Sequence, residues 1–304
     1  MARAIIFREY GGADVLTLEN VEAPKPGEGQ VRVAVRAIGV NPMDVKIRRG
    51  DLRTVMPADF PVIPGAEVAG VVDEVGAGVT DVQVGDPVVA MTVGGAYTDE
   101  ALATLALPKP DALSWTEAAA FPTVAGTAAR CLSELDVATG ATLLVHGVAG
   151  SVGGVVAQLA RSRGITVVGT ARADDEEYVR GLGATPVTYG DNWVERVRVA
   201  SPQGVDAVLD TAGAGVLPES ISLMGGATDQ IVTIADERGP SLGVRFSAGD
   251  PADTSPGHLP ELLEAAARGE LVVRVWRTFP LAEADRAQQA IEDHSARGKV
   301  VLLP

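Results

Sequence analysis

Three glycines spaced three apart, Gly147, Gly150 and Gly153, stand in the run Val145-His146-Gly147-Val148-Ala149-Gly150-Ser151-Val152-Gly153. The chemistry such a run serves is the gripping of a diphosphate. Glycine lets main-chain N–H groups approach a phosphate closely, and the positive end of a following helix favours negative charge there. The spacing is GxxGxxG rather than the GxGxxG of the usual dinucleotide fingerprint, so the surroundings have to support it. They do: Ala141–His146 reads as an apolar strand, Ser151–Arg163 carries helical periodicity, and Ile165–Thr170 supplies a second β-branched strand. Together these make one βαβ unit. The candidate cradle is therefore Gly147, Val148, Ala149, Gly150, Ser151, Val152 and Gly153, with a tight glycine turn between strand and helix as the alternative reading.

An NAD-selective site of this kind places Asp or Glu at the end of the second strand, about 20 residues past the glycines, to hold the ribose 2′-hydroxyl. Here that strand ends Val168-Gly169-Thr170-Ala171-Arg172. Ala171 stands at the acidic position, and the planar guanidinium of Arg172 suits a 2′-phosphate. NADPH is the expected cofactor, with Thr170 and Arg172 among its contacts. Asp174 and Asp175 keep NADH open, Glu176-Glu177 adds no further cation, and a solvated Arg172 is the alternative.

Metal chemistry has few ligands to draw on. Cys131 is the only cysteine, which excludes an intrachain disulfide and a Cys-rich zinc site. The histidines are His146, His258 and His294. His146 ends a strand and reads as a packed, hydrogen-bonded residue, whereas the other two fall on segments read as exposed helices. No metal is expected.

The elements that must position these groups belong to a chain of 304 residues, 46% hydrophobic, which is enough for two domains with their own cores. A net charge of −15 opposes a polyanionic partner, so nucleic acid is not expected. No apolar run reaches the roughly 20 residues that span a bilayer. Met1-Ala2-Arg3 leads directly into a strand-like segment, so no membrane association and a cytoplasmic location are expected.

Up to about residue 120 the chain is rich in Val, Gly and Pro, with alternation such as Val31-Arg32-Val33-Ala34-Val35 and frequent turn signals. That pattern predicts a small β barrel or sandwich. Ser114-Trp115-Thr116-Glu117 is a capping-box sequence that opens a helical stretch. Strands and helices then alternate through Gln230–Ile234, predicting a parallel sheet with helices on both faces. Gly239–Pro256 reads as a long loop. A helix at His258–Arg268 and strands at Leu271–Val275 and Lys299–Leu303 read as a return to the first domain. The expected division is 1–120, 121–250 and 251–304.

These features, in order, resemble the zinc-free medium-chain dehydrogenase/reductases, of which quinone oxidoreductases and zeta-crystallin are examples. The likeness runs over essentially the whole chain. It is carried by Gly39-Val40-Asn41-Pro42-Met43-Asp44, Pro64-Gly65-Ala66-Glu67-Val68-Ala69-Gly70, Val84-Gly85-Asp86-Pro87-Val88, Gly94-Gly95-Ala96-Tyr97, Phe121-Pro122-Thr123, Gly126-Thr127-Ala128 and the glycine run. The zinc-dependent branch has Gly-His-Glu where this chain has Gly65-Ala66-Glu67, and a Cys that Asn41–Asp44 lacks.

The resemblance implies an α/β fold: a GroES-like β-rich catalytic domain and a Rossmann doubly wound parallel-sheet domain, with substrate in the cleft between them. The implied reaction is zinc-independent hydride transfer from NADPH to a quinone or an α,β-unsaturated carbonyl (enone). An enoyl reductase of natural-product biosynthesis and a non-catalytic NADPH-binding protein are the alternatives. By family position, Asn41, Asp44 and Thr127 line the nicotinamide end. Thr211, Ala212, Ile234 and Ala235 contact the cofactor backbone or carboxamide, and Tyr189 either lies near its adenine end or is an ordinary packed tyrosine. Lys46 replaces a tyrosine common in relatives; it polarises the substrate carbonyl, fixes the loop, or is a snorkelling surface lysine. A homodimer is a further family expectation.

Overall fold

The structure is a computed structural model and describes residues 1–249 and 257–304. The chain opens with β1 (Ala2–Ile6), β2 (Thr17–Val21), β3 (Val31–Val40), α1 (Pro42–Arg49), β4 (Glu67–Val75), β5 (Pro87–Val93), β6 (Glu100–Pro108), α2 (Trp115–Ala120) and α3 (Pro122–Leu135). It continues with β7 (Thr142–His146), α4 (Ser151–Ser162), β8 (Thr166–Ala171), α5 (Glu176–Gly181), β9 (Thr185–Thr188), α6 (Trp193–Ala200), β10 (Ala207–Asp210), α7 (Leu217–Leu223), β11 (Ile231–Thr233) and β12 (Arg245–Phe246). The tail forms α8 (Leu259–Ala267), β13 (Val275–Pro280), α9 (Ala284–Glu292) and β14 (Lys299–Leu303). Two units result, residues 1–123, 257–269 and 273–304 in the first, and 124–249 and 270–272 in the second.

In the first unit the strand order is β13-β14-β3-β4-β5-β6, and β3 also pairs with β6, so four strands close on themselves. Closure removes the exposed edges that an open antiparallel sheet would leave. The alternation in β3 turns Val31, Val33 and Val35 inward, onto a core that includes Val68, Val88, Val300 and Leu302. Where β3 ends, Asn41 takes an extended conformation as N-cap, and Pro42 starts α1 at the position where a missing N–H costs nothing. Ser114 and Glu117 form the expected capping box at α2: the Ser114 N–H donates to Glu117 at 2.8 Å, and the Glu117 N–H donates to Ser114 Oγ at 3.3 Å.

In the second unit the order is β12-β11-β10-β7-β8-β9, with every pairing parallel. Numbered within the unit this is the doubly wound order, whose direction reverses between β7 and β10. Ligands in such sheets bind beyond the strand carboxyl ends at that reversal. β7 and β10 are buried nearly throughout, as central parallel strands covered on both faces must be.

Several local expectations need correction. Leu271–Val275 is not a strand; the strand begins at Val275 and runs to Pro280. The Val272 N–H donates to Gln158 Oε1, and its carbonyl accepts from Gln158 Nε2, both at 2.9 Å, so a side chain takes the place of a ladder. The segment from 239 is not wholly loop, because Gly239–Leu242 forms a 3₁₀ turn and β12 extends the sheet. Residues 250–256 of that predicted loop lie outside the described residues. His258 and His294 are exposed but sit at helix ends, His258 as the N-cap of α8 and His294 just past α9 in a left-handed conformation with φ 53°. Among the described residues no helix is long and apolar enough to cross a membrane.

Candidate functional site

In the second unit, β7 delivers its last residue, His146, to the glycine turn. Gly147 has φ 76°, a left-handed conformation, and a Cβ there would lie 2.9 Å from Thr211 Oγ1. At Gly153 a Cβ would meet Gly147 O at 2.4 Å and Val148 Cα at 2.8 Å, so only glycine lets α4 start so close to the turn. The N–H groups of Gly147 and Val148 both donate to Thr170 O at 3.2 Å, and that of Gly150 to Gly147 O at 2.9 Å. These bonds hold the turn. Gly150 is the N-cap of the twelve-residue α4, and the first-turn amides of Ser151, Val152 and Gly153 have no intrahelical acceptor. Amides of this kind, at the positive end of a helix and beneath a turn free of side-chain bulk, suit a diphosphate.

Thr211, Ala212, Ile234 and Ala235 gather beyond β10 and β11. The Thr211 hydroxyl donates to His146 O at 2.7 Å, and the Ala212 and Gly213 N–H groups donate to Asp210 Oδ1 at 2.9 Å each. Asp210 Oδ2 accepts the Thr233 hydroxyl at 2.9 Å, Thr233 Oγ1 accepts the Ala235 N–H at 3.1 Å, and the Ile234 N–H donates to Asp210 O at 3.0 Å. The buried Asp210–Thr233 pair thus shapes both loops.

At the end of β8, Arg172 Nε donates to the Tyr189 hydroxyl at 3.3 Å, and the Tyr189 N–H donates to Ala171 O at 3.1 Å. Tyr189 is 53% exposed, so a cation and a phenol stand together at the end of β8, a pair whose chemistry suits a phosphate. Thr170 is buried, with its hydroxyl engaged by His146 and Gly147. Thr127 lies part-buried on α3.

The first unit brings Asn41 and Asp44 into one buried polar cluster. Asn41 Nδ2 donates to Glu67 Oε1 at 2.8 Å, and Asn41 Oδ1 accepts from Lys299 Nζ at 2.5 Å. Lysine only donates and a carboxylate only accepts, so this pair of neighbours fixes which way the amide faces. Glu67 Oε1 also receives Lys299 Nζ at 2.6 Å, and its Oε2 receives the Thr123 N–H at 2.8 Å. Both oxygens of the carboxylate are thereby engaged. A Cβ on Gly39 would lie 2.4 Å from Glu67 Oε1, so that glycine leaves room for the carboxylate.

Asp44 Oδ2 accepts the Asn41 N–H and the Tyr97 hydroxyl, each at 2.9 Å. Burial pushes the Asp44 carboxyl up to about 6, against the lowering effect of these two donors and of Lys299. Tyr97 is pushed well up by its own burial and by the neighbouring Asp44. Lys46 is half-buried on α1. Arg48, wholly buried two residues on, donates to Gln288 Oε1 at 2.7 Å, Gly11 O at 2.9 Å and Glu292 Oε2 at 2.7 Å, tying α1 to α9.

Sequence reasoning missed Lys299 and the role of Glu67. A charged residue opening an apolar strand, Lys299-Val300-Val301-Leu302-Leu303, was the available signal. It also missed Thr233 and Ser220, which carry none.

Residues 27–162 match the alcohol dehydrogenase GroES-like domain family, and residues 182–302 match the family described as zinc-binding dehydrogenase. The chain is 32% identical over its whole length to a 2-haloacrylate reductase of Burkholderia sp, covering 99% of that protein. It is 35% identical over 74% of its length to a quinone oxidoreductase of Rattus norvegicus, covering 70% of it. Among solved structures it is similar to the Escherichia coli quinone oxidoreductase complexed with NADPH, with a TM-score of 0.86, 26% identity and full coverage of both chains.

Proposed function

This chain belongs to the zinc-free medium-chain dehydrogenase/reductases of quinone oxidoreductase type, and on that premise we propose that it is an NADPH-dependent oxidoreductase whose acceptor is a quinone or an α,β-unsaturated carbonyl compound. The observation that carries the reading is the glycine cradle with Arg172 and Tyr189 at the end of the next strand. That set of groups fits a dinucleotide bearing a 2′-phosphate.

The bound cofactor supplies a hydride from nicotinamide C4 to an electrophilic carbon. The chain's own residues bind and orient. In the second unit, the amides of Ser151, Val152 and Gly153 take the diphosphate and Arg172 takes the 2′-phosphate. The loops bearing Thr211, Ala212, Ile234 and Ala235 hold the cofactor backbone, and Thr127 serves the nicotinamide end. In the first unit, Asn41 has one Nδ2 hydrogen committed to Glu67; the other is offered to the oxygen on which charge develops. Lys46 polarises the same carbonyl. A proton taken up from solvent or a side chain completes the reduction.

The full-length 2-haloacrylate reductase relative supports the conjugated-alkene side of this substrate class, since a 2-haloacrylate is itself a conjugated alkene. Loss of NADPH absorbance on adding panels of quinones and enones tests the proposal. Turnover of at least one class is expected. Binding of NADPH without turnover of either would reassign the chain as a binding protein.

A further inference from the structure

Behind the cradle runs a hydrogen-bond chain in which one set of proton positions gives every hydrogen an acceptor. Ser220 Oγ lies 2.8 Å from Val216 O and 3.0 Å from His146 Nε2. Val216 O, which also takes the Ser220 N–H at 3.0 Å, can only accept, and the geometry suits donation of the single Ser220 hydroxyl hydrogen to it. Ser220 Oγ therefore receives a hydrogen from Nε2. The ring is 1% exposed, and burial lowers its pKa although Asp210 pulls the other way, so the imidazole is neutral and Nδ1 is a bare acceptor.

Nδ1 lies 3.1 Å from Thr170 Oγ1, so Thr170 donates its one hydrogen to the ring. The Thr170 oxygen then faces the Gly147 N–H at 3.3 Å, an amide it shares with its own carbonyl. Trp193 packs edge-on against the imidazole, with centroids 4.7 Å apart and planes at 89°.

We propose that His146, held as the Nε2–H tautomer between Ser220 and Thr170, is a positioning residue for the diphosphate cradle, setting the Thr170 hydroxyl so that its oxygen anchors Gly147. The inference rests on the cradle being the NADPH site. A proton on Nδ1 would face the Thr170 hydroxyl donor to donor; Thr170 would have to rotate and accept, and its own hydrogen would lose the ring as acceptor. Packing alone would set no such requirement on the ring.

Long-range ¹H–¹⁵N correlation spectra of the cofactor-free protein near neutral pH read the tautomer directly, with the exposed His258 and His294 as internal comparisons. Nε2–H is expected for His146; an Nδ1–H or doubly protonated ring overturns the proposal. Thr170→Val keeps the side-chain shape without the hydroxyl, and Thr170→Ser restores the hydroxyl. Fluorescence titration should show NADPH bound about tenfold more weakly by the valine variant and within about threefold of the parent by the serine variant. Parental affinity in Thr170→Val overturns the role.

Should that variant not fold, Ser220→Ala decides. Loss of the Nε2 acceptor should move the ring toward Nδ1–H and weaken NADPH binding, and no change in either overturns the role. Absence of NADPH binding by the parent overturns the cofactor reading and the positioning role with it. That result is distinguishable from failure of the tautomer assignment, because the spectra need no cofactor.

Discussion

Lys299 Nζ sits 2.6 Å from Glu67 Oε1 with the two side chains 3% and 0% exposed, joining the last strand of the chain to the first residue of β4. Removing one partner of a buried pair strands the other charge, at a cost of about 3–5 kcal/mol. Lys299→Met should therefore lower the stability of the first unit by roughly that amount. Adding Glu67→Gln, which removes the stranded charge, should restore part of it. Denaturant melts of the parent, both single variants and the double variant give the coupling. Additive losses would show that the contact contributes little. Because Lys299 also holds the Asn41 carbonyl, Lys299→Met should reduce kcat as well.

Asp44 makes stability depend on pH in a stated direction. Its folded-state pKa, about 6, lies above the ordinary value of 3.8, so the native protein binds this proton more tightly than the unfolded chain. Stability contributed by the protonated carboxyl is complete at the acid end and is lost as pH rises from about 4 to about 6. The size is on the order of 3 kcal/mol. Tyr97, Glu67 and Lys299 are the titratable groups acting on it. Asp44→Asn should flatten that slope, measured by urea midpoints across the window. A slope unchanged in the variant would assign the effect to other groups.

How far these features could be read from sequence follows from how local their causes are. The βαβ unit declared itself because strand, glycines and helix are contiguous between Thr142 and Ala171, and the Ser114 capping box spans four residues. The buried cluster did not: Asn41 meets Glu67 across 26 residues and Lys299 across 258, separations that no periodicity encodes. Leu271-Val272-Val273 has strand-like composition, but its pairing went to Gln158, a choice made by tertiary contact. Thr170 shows a subtler limit. Its position beside the cradle was evident, but the direction of its hydroxyl depends on His146 and Ser220.

Arg172 should decide between the two nicotinamide cofactors. A charge-assisted contact contributes about 1.5–3 kcal/mol, so Arg172→Ala should raise the KM for NADPH by about 10- to 100-fold. The KM for NADH, which lacks the 2′-phosphate, should stay within about twofold, since it loses no such contact. Tyr189→Phe should have a smaller effect in the same direction, because it removes only the acceptor that orients the guanidinium. Equal changes for both cofactors in Arg172→Ala would remove the residue from the 2′-phosphate site.

The three glycines of the cradle should not respond equally to alanine. At Gly153 the added methyl meets two backbone atoms, at 2.4 and 2.8 Å, and backbone can give way only by moving the turn from the start of α4. Gly150 has φ −74°, accessible to any residue, and its nearest contact is Gly147 O at 3.1 Å. Overpacking of the first kind costs about 1–3 kcal/mol. Gly153→Ala should therefore lower the Tm and weaken NADPH binding by at least about tenfold, because the first-turn amides are displaced together. Gly150→Ala should fold almost as the parent does and lose less affinity. The opposite ranking, in paired thermal melts and NADPH titrations, would mean that open space above Gly150 limits the site more than the close approach of α4 at Gly153.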